Sequence, residues 1–307
     1  MTSMANTTPQ IEPQNPATAV ATLTVALAGC SDVGRERDHQ EDAFGLPPQP
    51  LEPAEYERGL LLIVADGVGG LRAGEEASRL AVLTTREVFV NEWSPDIRYI
   101  LERAVSQANT AVFQRGQEDE FSGMATTIVC CVLHNGQLHV ASVGDSRLYR
   151  RRDGHLQQLT VDHSWVQAQI DLGVLTEEMA RTHNKRHIVT RSLGARPTVE
   201  VDLRQFGLLD GDRLLLCSDG LYDLVDEAVL AETMMRPPRE ACAHLIDLAN
   251  EAGGSDNITV VLAVVHLSAP TARPPVDGEK TASHTIEEGD KTATRAIRGR
   301  NIGPQYE

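Results

Sequence analysis

Apolar positions along this chain follow two periods, and polar stretches mark where one gives way to the other. Residues 1–22, rich in Thr, Pro, Gln and Asn, follow neither and predict a disordered arm. Leu23, Val25 and Leu27 alternate with smaller or polar residues, which predicts a half-buried strand at about 23–29. A polar segment from Ser31 to Asp42 follows, then a loop marked by Pro47, Pro48, Pro50 and Pro53. Next comes an apolar run of strand length, Leu60 to Ala65, which ends on Asp66 and the glycines Gly67, Gly69 and Gly70. A strand that stops at such a turn puts Asp66 at the rim of a sheet. The glycines let backbone carbonyls approach a ligand, because no Cβ intervenes.

The period then changes to 3.6. Residues 73–90 predict a helix with Ala77, Leu80, Ala81, Thr84 and Val88 on one face. Ser94 and Pro95 supply an N-cap and a first-turn proline for a second helix, with Ile97, Leu101, Ala104, Val105, Ala108 and Val112 inward. Thr127 to Leu133 and Leu138 to Val143 read as strands joined by the Asn135-Gly136 turn, and Asp153-Gly154 predicts another hairpin. Residues 162–195 are polar, with short helical pieces from Trp165 to Leu172 and Thr176 to Arg181, and have the character of a flap. Strands return at about 199–206 and 213–218, a third helix at about 238–252, and Ile258 to Leu267 is the closing strand. Residues 268–307 lose the apolar period and predict a disordered polar tail, which leaves one domain at 23–267.

Charge narrows the class of partner. The chain of 307 residues carries −16, and both end segments are nearly neutral, so the middle holds almost all of it. That is the opposite of a footprint for a phosphate backbone, and no nucleic-acid partner is expected. No apolar stretch reaches the roughly 18–20 residues of a membrane span, so no membrane insertion is expected. The five cysteines form no C-x-x-C pair and sit mostly in apolar runs, as reduced thiols in a cytoplasmic protein would. Leu27-Ala28-Gly29-Cys30 imitates a lipoprotein cleavage site, but no basic residue precedes Arg35 and the strand alternation runs into it.

Chemistry is narrowed first by absence. The sequence has no G-x-S-x-G elbow, no P-loop, no H-E-x-x-H, and no cysteine followed six positions later by arginine. What remains is a set of carboxylates in similar settings: Glu41-Asp42, Asp66, Asp219 after Leu214-Leu215-Leu216-Cys217-Ser218, and Asp256 in Gly253-Gly254-Ser255-Asp256-Asn257. Oxygen-only ligands of this kind suit Mg²⁺ or Mn²⁺. Two such ions about 3.5–4 Å apart can clamp a phosphoryl group for in-line attack.

Eight segments now line up in one order. They are Arg37-Asp38-His39-Gln40-Glu41-Asp42, Val64 to Gly70, Gly123 to Thr127, Val143-Gly144-Asp145-Ser146-Arg147, Leu159 to Ser164, Val189 to Gly194, Cys217 to Asp223, and Gly254 to Thr259. In this order the chain resembles the metal-dependent protein serine/threonine phosphatases of the PPM family (type 2C), in their compact bacterial form. The resemblance implies an α+β fold: a four-layer α/β/β/α sandwich, two stacked antiparallel sheets flanked by helices. It implies hydrolysis of phosphoserine and phosphothreonine by a hydroxide bridging two Mg²⁺ or Mn²⁺ ions, on phosphorylated proteins and in opposition to a cognate Ser/Thr kinase.

By the same resemblance Asp66 bridges both metals and the Gly67 carbonyl joins one of them, while Asp219 and Asp256 hold the other. Asp42, with Glu41, binds or orients metal waters, and Arg37 grips the substrate phosphate. Arg35, two positions away, is the alternative arginine. Asp145 fits either a β-bulge aspartate beside Gly144 or, with Asp219, a third and weaker metal site. Asn257 fits either a turn residue or an amide that orients Asp256. Some eukaryotic relatives carry a proton-donating histidine where this chain has Val68, so the general acid is left to a metal-bound water or to a flap histidine such as His163 or His183. The competing readings are a catalytically inactive phosphoprotein-binding pseudophosphatase and a two-metal phosphodiesterase.

Overall fold

Every strand pairing in the domain is antiparallel, and the strands divide into two sheets. The computed structural model describes residues 22–48, 50–51, 57–68 and 72–268. The predicted arm and tail therefore lie almost wholly outside the described residues, as do Gly69 and Gly70. The first sheet runs β1 (Thr22–Asp32), β11 (Ile258–Ser268), β10 (Arg213–Cys217), β7 (Arg147–Arg152) and β8 (His155–Gln158). The second runs β2 (Asp42–Gly45), β3 (Leu60–Val68), β5 (Ile128–His134), β6 (Gln137–Val143) and β9 (Asp202–Gly207), with β4 (Ala125–Thr126) added to the end of β3. The first and last strands in the chain outrun their expected limits by a residue or more: Thr22 and Ser268 are paired with each other. Cys30 sits inside β1 opposite Val260.

The continuous apolar runs have a physical reason. Along β3, Leu60, Leu62 and Val64 enter the core between the sheets, while Leu61, Ile63 and Ala65 face helices on the other side. Strand β5 repeats this with Val129, Cys131 and Leu133 against Ile128, Cys130 and Val132. A strand buried on both faces has no reason to alternate. In the other sheet Leu214 and Leu216 of β10 point to the shared core and Leu215 and Cys217 to the opposite helices. The result is four layers, helix, sheet, sheet, helix.

Helices α1 (Arg72–Asn91) and α2 (Ile97–Arg115) cover the second sheet. On α2 all six expected positions are buried. The start of α2 differs from expectation. Asp96, not Ser94, is the N-cap: its carboxylate accepts from the Arg98 and Tyr99 N–H groups at 3.0 and 3.3 Å, whereas Ser94 Oγ accepts only from Asp96 N. Pro95 therefore precedes the helix. The buried stripe of α1 is also rotated from the expected one. It runs through Ala73, Ala77, Ala81, Val82 and Phe89 with the hydroxyls of Ser78 and Thr85, leaving Leu80, Thr84 and Val88 only partly covered. Two polar residues on the inward face hid its true direction.

Three helices cover the first sheet: α5 (Asp219–Tyr222), α6 (Glu227–Thr233) and α7 (Pro238–Glu251). Of these the apolar pattern had marked only α7. Both short hairpins form as expected, with Asn135, Gly136, Asp153 and Gly154 all at positive φ. The flap carries α3 (Trp165–Asp171) and α4 (Glu177–Arg181), the latter capped by Thr176 Oγ1 on Met179 N. Its return to the sheet is pinned by buried Asn109 of α2, which accepts from Gly194 N and donates to the carbonyls of Arg196 and Pro197. Strand β9 starts only at Asp202, after the predicted 199.

Asp96→Ala should lower stability to denaturant by about 1 kcal/mol through loss of the cap, while Ser94→Ala should change it by no more than a few tenths. Equilibrium unfolding of the two variants checks the assignment.

Candidate functional site

Five aspartates from both sheets meet at one rim of the sandwich. Asp42 begins β2 and stands opposite Asp66 of β3 in the ladder. Asp219 opens α5 directly after β10, Asp256 lies in the turn before β11, and Asp145 occupies the turn between β6 and β7. Asp42 and Asp145 are buried; Asp66, Asp219 and Asp256 are half-buried. The carboxylates of Asp66 and Asp219 come within hydrogen-bonding reach of each other.

Bringing these groups together changes their acidity. Burial pushes Asp42 up to about 7, against the hydrogen bond that Ser218 Oγ donates to it at 2.7 Å. Asp66 is pushed well above the ordinary range by burial and by Asp42, Asp219 and Asp145. Asp219 rises to about 6 through burial, Asp256 and Asp223, and Asp145 to about 8 through burial, Asp219 and Asp162. Like charges in a poorly solvated place disfavour ionisation, and a proton is one remedy. A divalent cation is the other. The donor set fits such an ion: it is all oxygen, it is short of positive charge, and hard carboxylates suit Mg²⁺ or Mn²⁺.

The backbone at the centre is tied down by residues that the sequence marked only as strand formers. Thr127 Oγ1 accepts from Asp66 N at 3.1 Å and Thr126 Oγ1 donates to the Asp66 carbonyl at 2.8 Å. Thr127 N donates to the same carbonyl, also at 2.8 Å. Gly67 N donates to the Glu41 carbonyl at 3.1 Å. A Cβ on Gly67 would lie 2.2 Å from the Gly74 carbonyl of α1 and 2.5 Å from that of Glu41, so only glycine fits. The signal that could have found Thr126 and Thr127 was their place in the Gly123-Met124-Ala125-Thr126-Thr127 segment.

Asn257 serves the loop more than its neighbour. Its side chain accepts from Glu41 N at 2.7 Å and donates to the carbonyls of Val33 and His39, stitching the segment between β1 and β2 to the turn that holds Asp256. Glu41 is half-buried and raised by burial. Arg37 is exposed and reaches the cluster, with Nη2 2.7 Å from Asp256 and Nη1 3.7 Å from Glu41. Arg35 meets the same turn through its backbone N–H on Gly254.

Under Asp145 lies an arginine that pattern reading passed over. Arg147 makes a forked pair with Asp162, donates to Tyr149 Oη and stacks on Tyr222, whose hydroxyl donates to the Asp145 carbonyl. Cys217 adjoins the cluster, but burial pushes its thiol up to about 12, which disqualifies it as a nucleophile. A cavity of about 280 Å³ lies elsewhere, between the end of α1 and the start of β3, with Arg58 and Arg86 among apolar residues and no carboxylate in its lining.

The raised carboxyls predict how stability varies with pH. Asp42, Asp145 and Asp219 bind protons in the fold at about 7, 8 and 6, against an ordinary 3.8. Their stabilising contribution is complete below that ordinary value and is lost as pH rises through the folded values. In chelator, the melting temperature should therefore fall from about pH 5 to pH 8, Asp145→Asn should flatten the upper part, and Mn²⁺ should restore it. Calorimetric scans across that range check this.

Comparison with known proteins gives the same picture. The family profile described as Protein phosphatase 2C matches residues 38–250. Serine/threonine protein phosphatase PstP of Mycobacterium tuberculosis (strain ATCC 25618 / H37Rv) is 37% identical over 249 residues, 80% of this chain and 46% of that protein. Serine/threonine phosphatase stp of Listeria innocua serovar 6a is 35% identical over 239 residues, 76% of this chain and 92% of that one. The chain thus spans about half the length of the mycobacterial relative and nearly all of the Listeria one. The crystal structure of the PstP catalytic domain in complex with two manganese ions superposes with a TM-score of 0.70 at 35% identity, covering 80% of this chain and 100% of that one. With the profile matched over most of its length, and with relatives this similar, the chain belongs to the protein phosphatase 2C family.

Proposed function

We propose that the chain is a protein serine/threonine phosphatase that holds two Mg²⁺ or Mn²⁺ ions on Asp66, the Gly67 carbonyl, Asp219 and Asp256. The observation that carries this is the gathering of five acidic side chains from two sheets at one rim, where oxygen ligands face one another. The crystal structure of the PstP catalytic domain in complex with two manganese ions supports the same metals here. The pseudophosphatase reading asks for missing ligands, and Asp66, Asp219 and Asp256 are all in the cluster.

Each residue has a task in this reading. Asp66 stands opposite Asp42 in the ladder and within reach of Asp219, which suits it to bridge the two ions in this reading. The hydroxyls of Thr126 and Thr127 fix its backbone, and Asp42 and Glu41 orient water around the ions. Arg37 exchanges the Asp256 carboxylate for a substrate phosphate, to which its planar fork is matched. Asp145, paired electrostatically with Asp219, is the place for a third and weaker ion. Bound there, divalent cations supply Lewis acidity and water activated at neutral pH.

The substrates in this reading are phosphorylated proteins, and the enzyme opposes a cognate Ser/Thr kinase. None of the helices among the described residues is long and apolar enough to cross a membrane. The free cysteines support a cytoplasmic location in this reading.

Hydrolysis of a phosphothreonine peptide should require Mn²⁺ or Mg²⁺ and stop in chelator. Asp219→Asn should lower it by at least about 100-fold, since even outer partners of a metal site cost 10–100-fold. Activity indifferent to chelator would refute the assignment. Thr127→Val should weaken Mn²⁺ binding by about 10–100-fold in a calorimetric titration, because it frees the Asp66 N–H.

A further inference from the structure

The proposed reaction expels a serine or threonine alkoxide, a poor leaving group that needs a proton. Val68, exposed at the end of β3, has none to give. The two flap histidines that the sequence offered are engaged elsewhere. His163 has Nδ1 3.0 Å from the Gly144 N–H and Nε2 3.0 Å from Arg191, and burial holds its pKa down. His183 stacks on Trp165 with ring centroids 5.0 Å apart, and its Nδ1 accepts from Lys185 N. Neither ring is placed to give up a proton at the cluster.

A third flap histidine is different. His187 lies 3.1 Å through Nδ1 from the carboxylate of Asp223, which closes the first turn that begins at Asp219. One ring nitrogen of His187 and one oxygen each of Asp219 and Asp223 all lie within 4.8 Å of one another. The His187 side chain is about half exposed, so the ring is open to an incoming substrate. Arg186 approaches the same Asp223 carboxylate at 3.8 Å, and Arg147 and Asp162 also act on it from below. A carboxylate accepting at Nδ1 fixes the ring and its tautomer, which turns Nε2 outward.

We propose that His187 is the proton donor to the leaving serine or threonine oxygen, oriented by Asp223. This rests on the phosphatase reading above. As the P–Oγ bond breaks, its electron pair stays on Oγ and the Nε2 proton of the imidazolium moves there. The oxygen of a water forms the new P–O bond, one of its protons passes to solvent, and solvent recharges the imidazole. The flap then contributes chemistry as well as contacts, because it carries His187 to Asp223 and Asp219.

The test uses the full chain loaded with Mn²⁺ and two substrates, a phosphothreonine peptide and p-nitrophenyl phosphate, whose phenolate leaves without a proton. His187→Gln should lower peptide turnover by about 100-fold or more, the usual range for loss of a general acid. The ratio of peptide to aryl phosphate turnover should fall at least about 10-fold, and the alkaline decline of peptide kcat should disappear. Asp223→Asn should lower the same ratio less, and calorimetric Mn²⁺ affinity should be the same in His187→Gln as in the parent. Equal losses on both substrates, or no loss on either, would overturn the proposal. Weakened Mn²⁺ binding would overturn it in favour of a metal ligand. A fallen ratio in His39→Gln instead would move the donor to the other side of the site. An unmutated chain inactive on both substrates would remove the phosphatase reading first.

Discussion

Five carboxylates crowded at the mouth of two packed sheets set the terms for everything around them. Asp42, Asp66, Asp145 and Asp219 are pushed toward the neutral form by burial and by acidic neighbours. Such a cluster costs stability unless protons or cations compensate it. The rest of the domain can be read as the structure that holds this arrangement together: two sheets with doubly buried strands, whose ends are too firmly packed to move the charges apart.

The fixing is done largely by neutral groups. Thr126 and Thr127 hold Asp66 by its amide and carbonyl, Ser218 bonds Asp42, and Asn257 binds the segment that carries Arg37 and Glu41. Close approach does the remainder, since Gly67 touches Gly74 and Glu41, and Gly220 would press a Cβ to within 2.1 Å of the Asn257 carbonyl. These contacts join α1, β2, β3, α5 and the turn before β11 around one point. Positional precision comes from hydrogen bonds that carry no net charge, so they hold the acids in place without neutralising them.

The flap is attached by two different kinds of contact. At its base Asn109, buried on α2, ties three backbone groups, and bridges join Thr126 to Leu193 and Ser164 to Val189. Toward the acidic cluster the links are charged and exposed, Arg186 and His187 on Asp223. Neutral buried bonds make a fixed hinge, whereas exposed ion pairs are worth little individually and part readily. That difference lets one segment be anchored at one end and movable over the site at the other.

The sequence by itself determined the order of most elements and the acidic residues at the ends of apolar runs, because strand runs, helical stripes and turn glycines are local properties, whereas the four layers were implied only by the family resemblance. It also carried enough ordered motifs for the family to be recognised. It misdirected the stripe of α1, since Ser78 and Thr85 are inward and polar, and it put the α2 cap at Ser94 where Asp96 takes the first free N–H groups of the helix. Tertiary structure alone decided which carboxylates face one another, because Asp42 and Asp256 lie far apart in the chain and meet only when β2 and β11 end at the same rim. It also decided which histidine stands near them. His163, His183 and His187 share one flap and one polar context, and only packing against Trp165, Arg191 and Asp223 tells them apart.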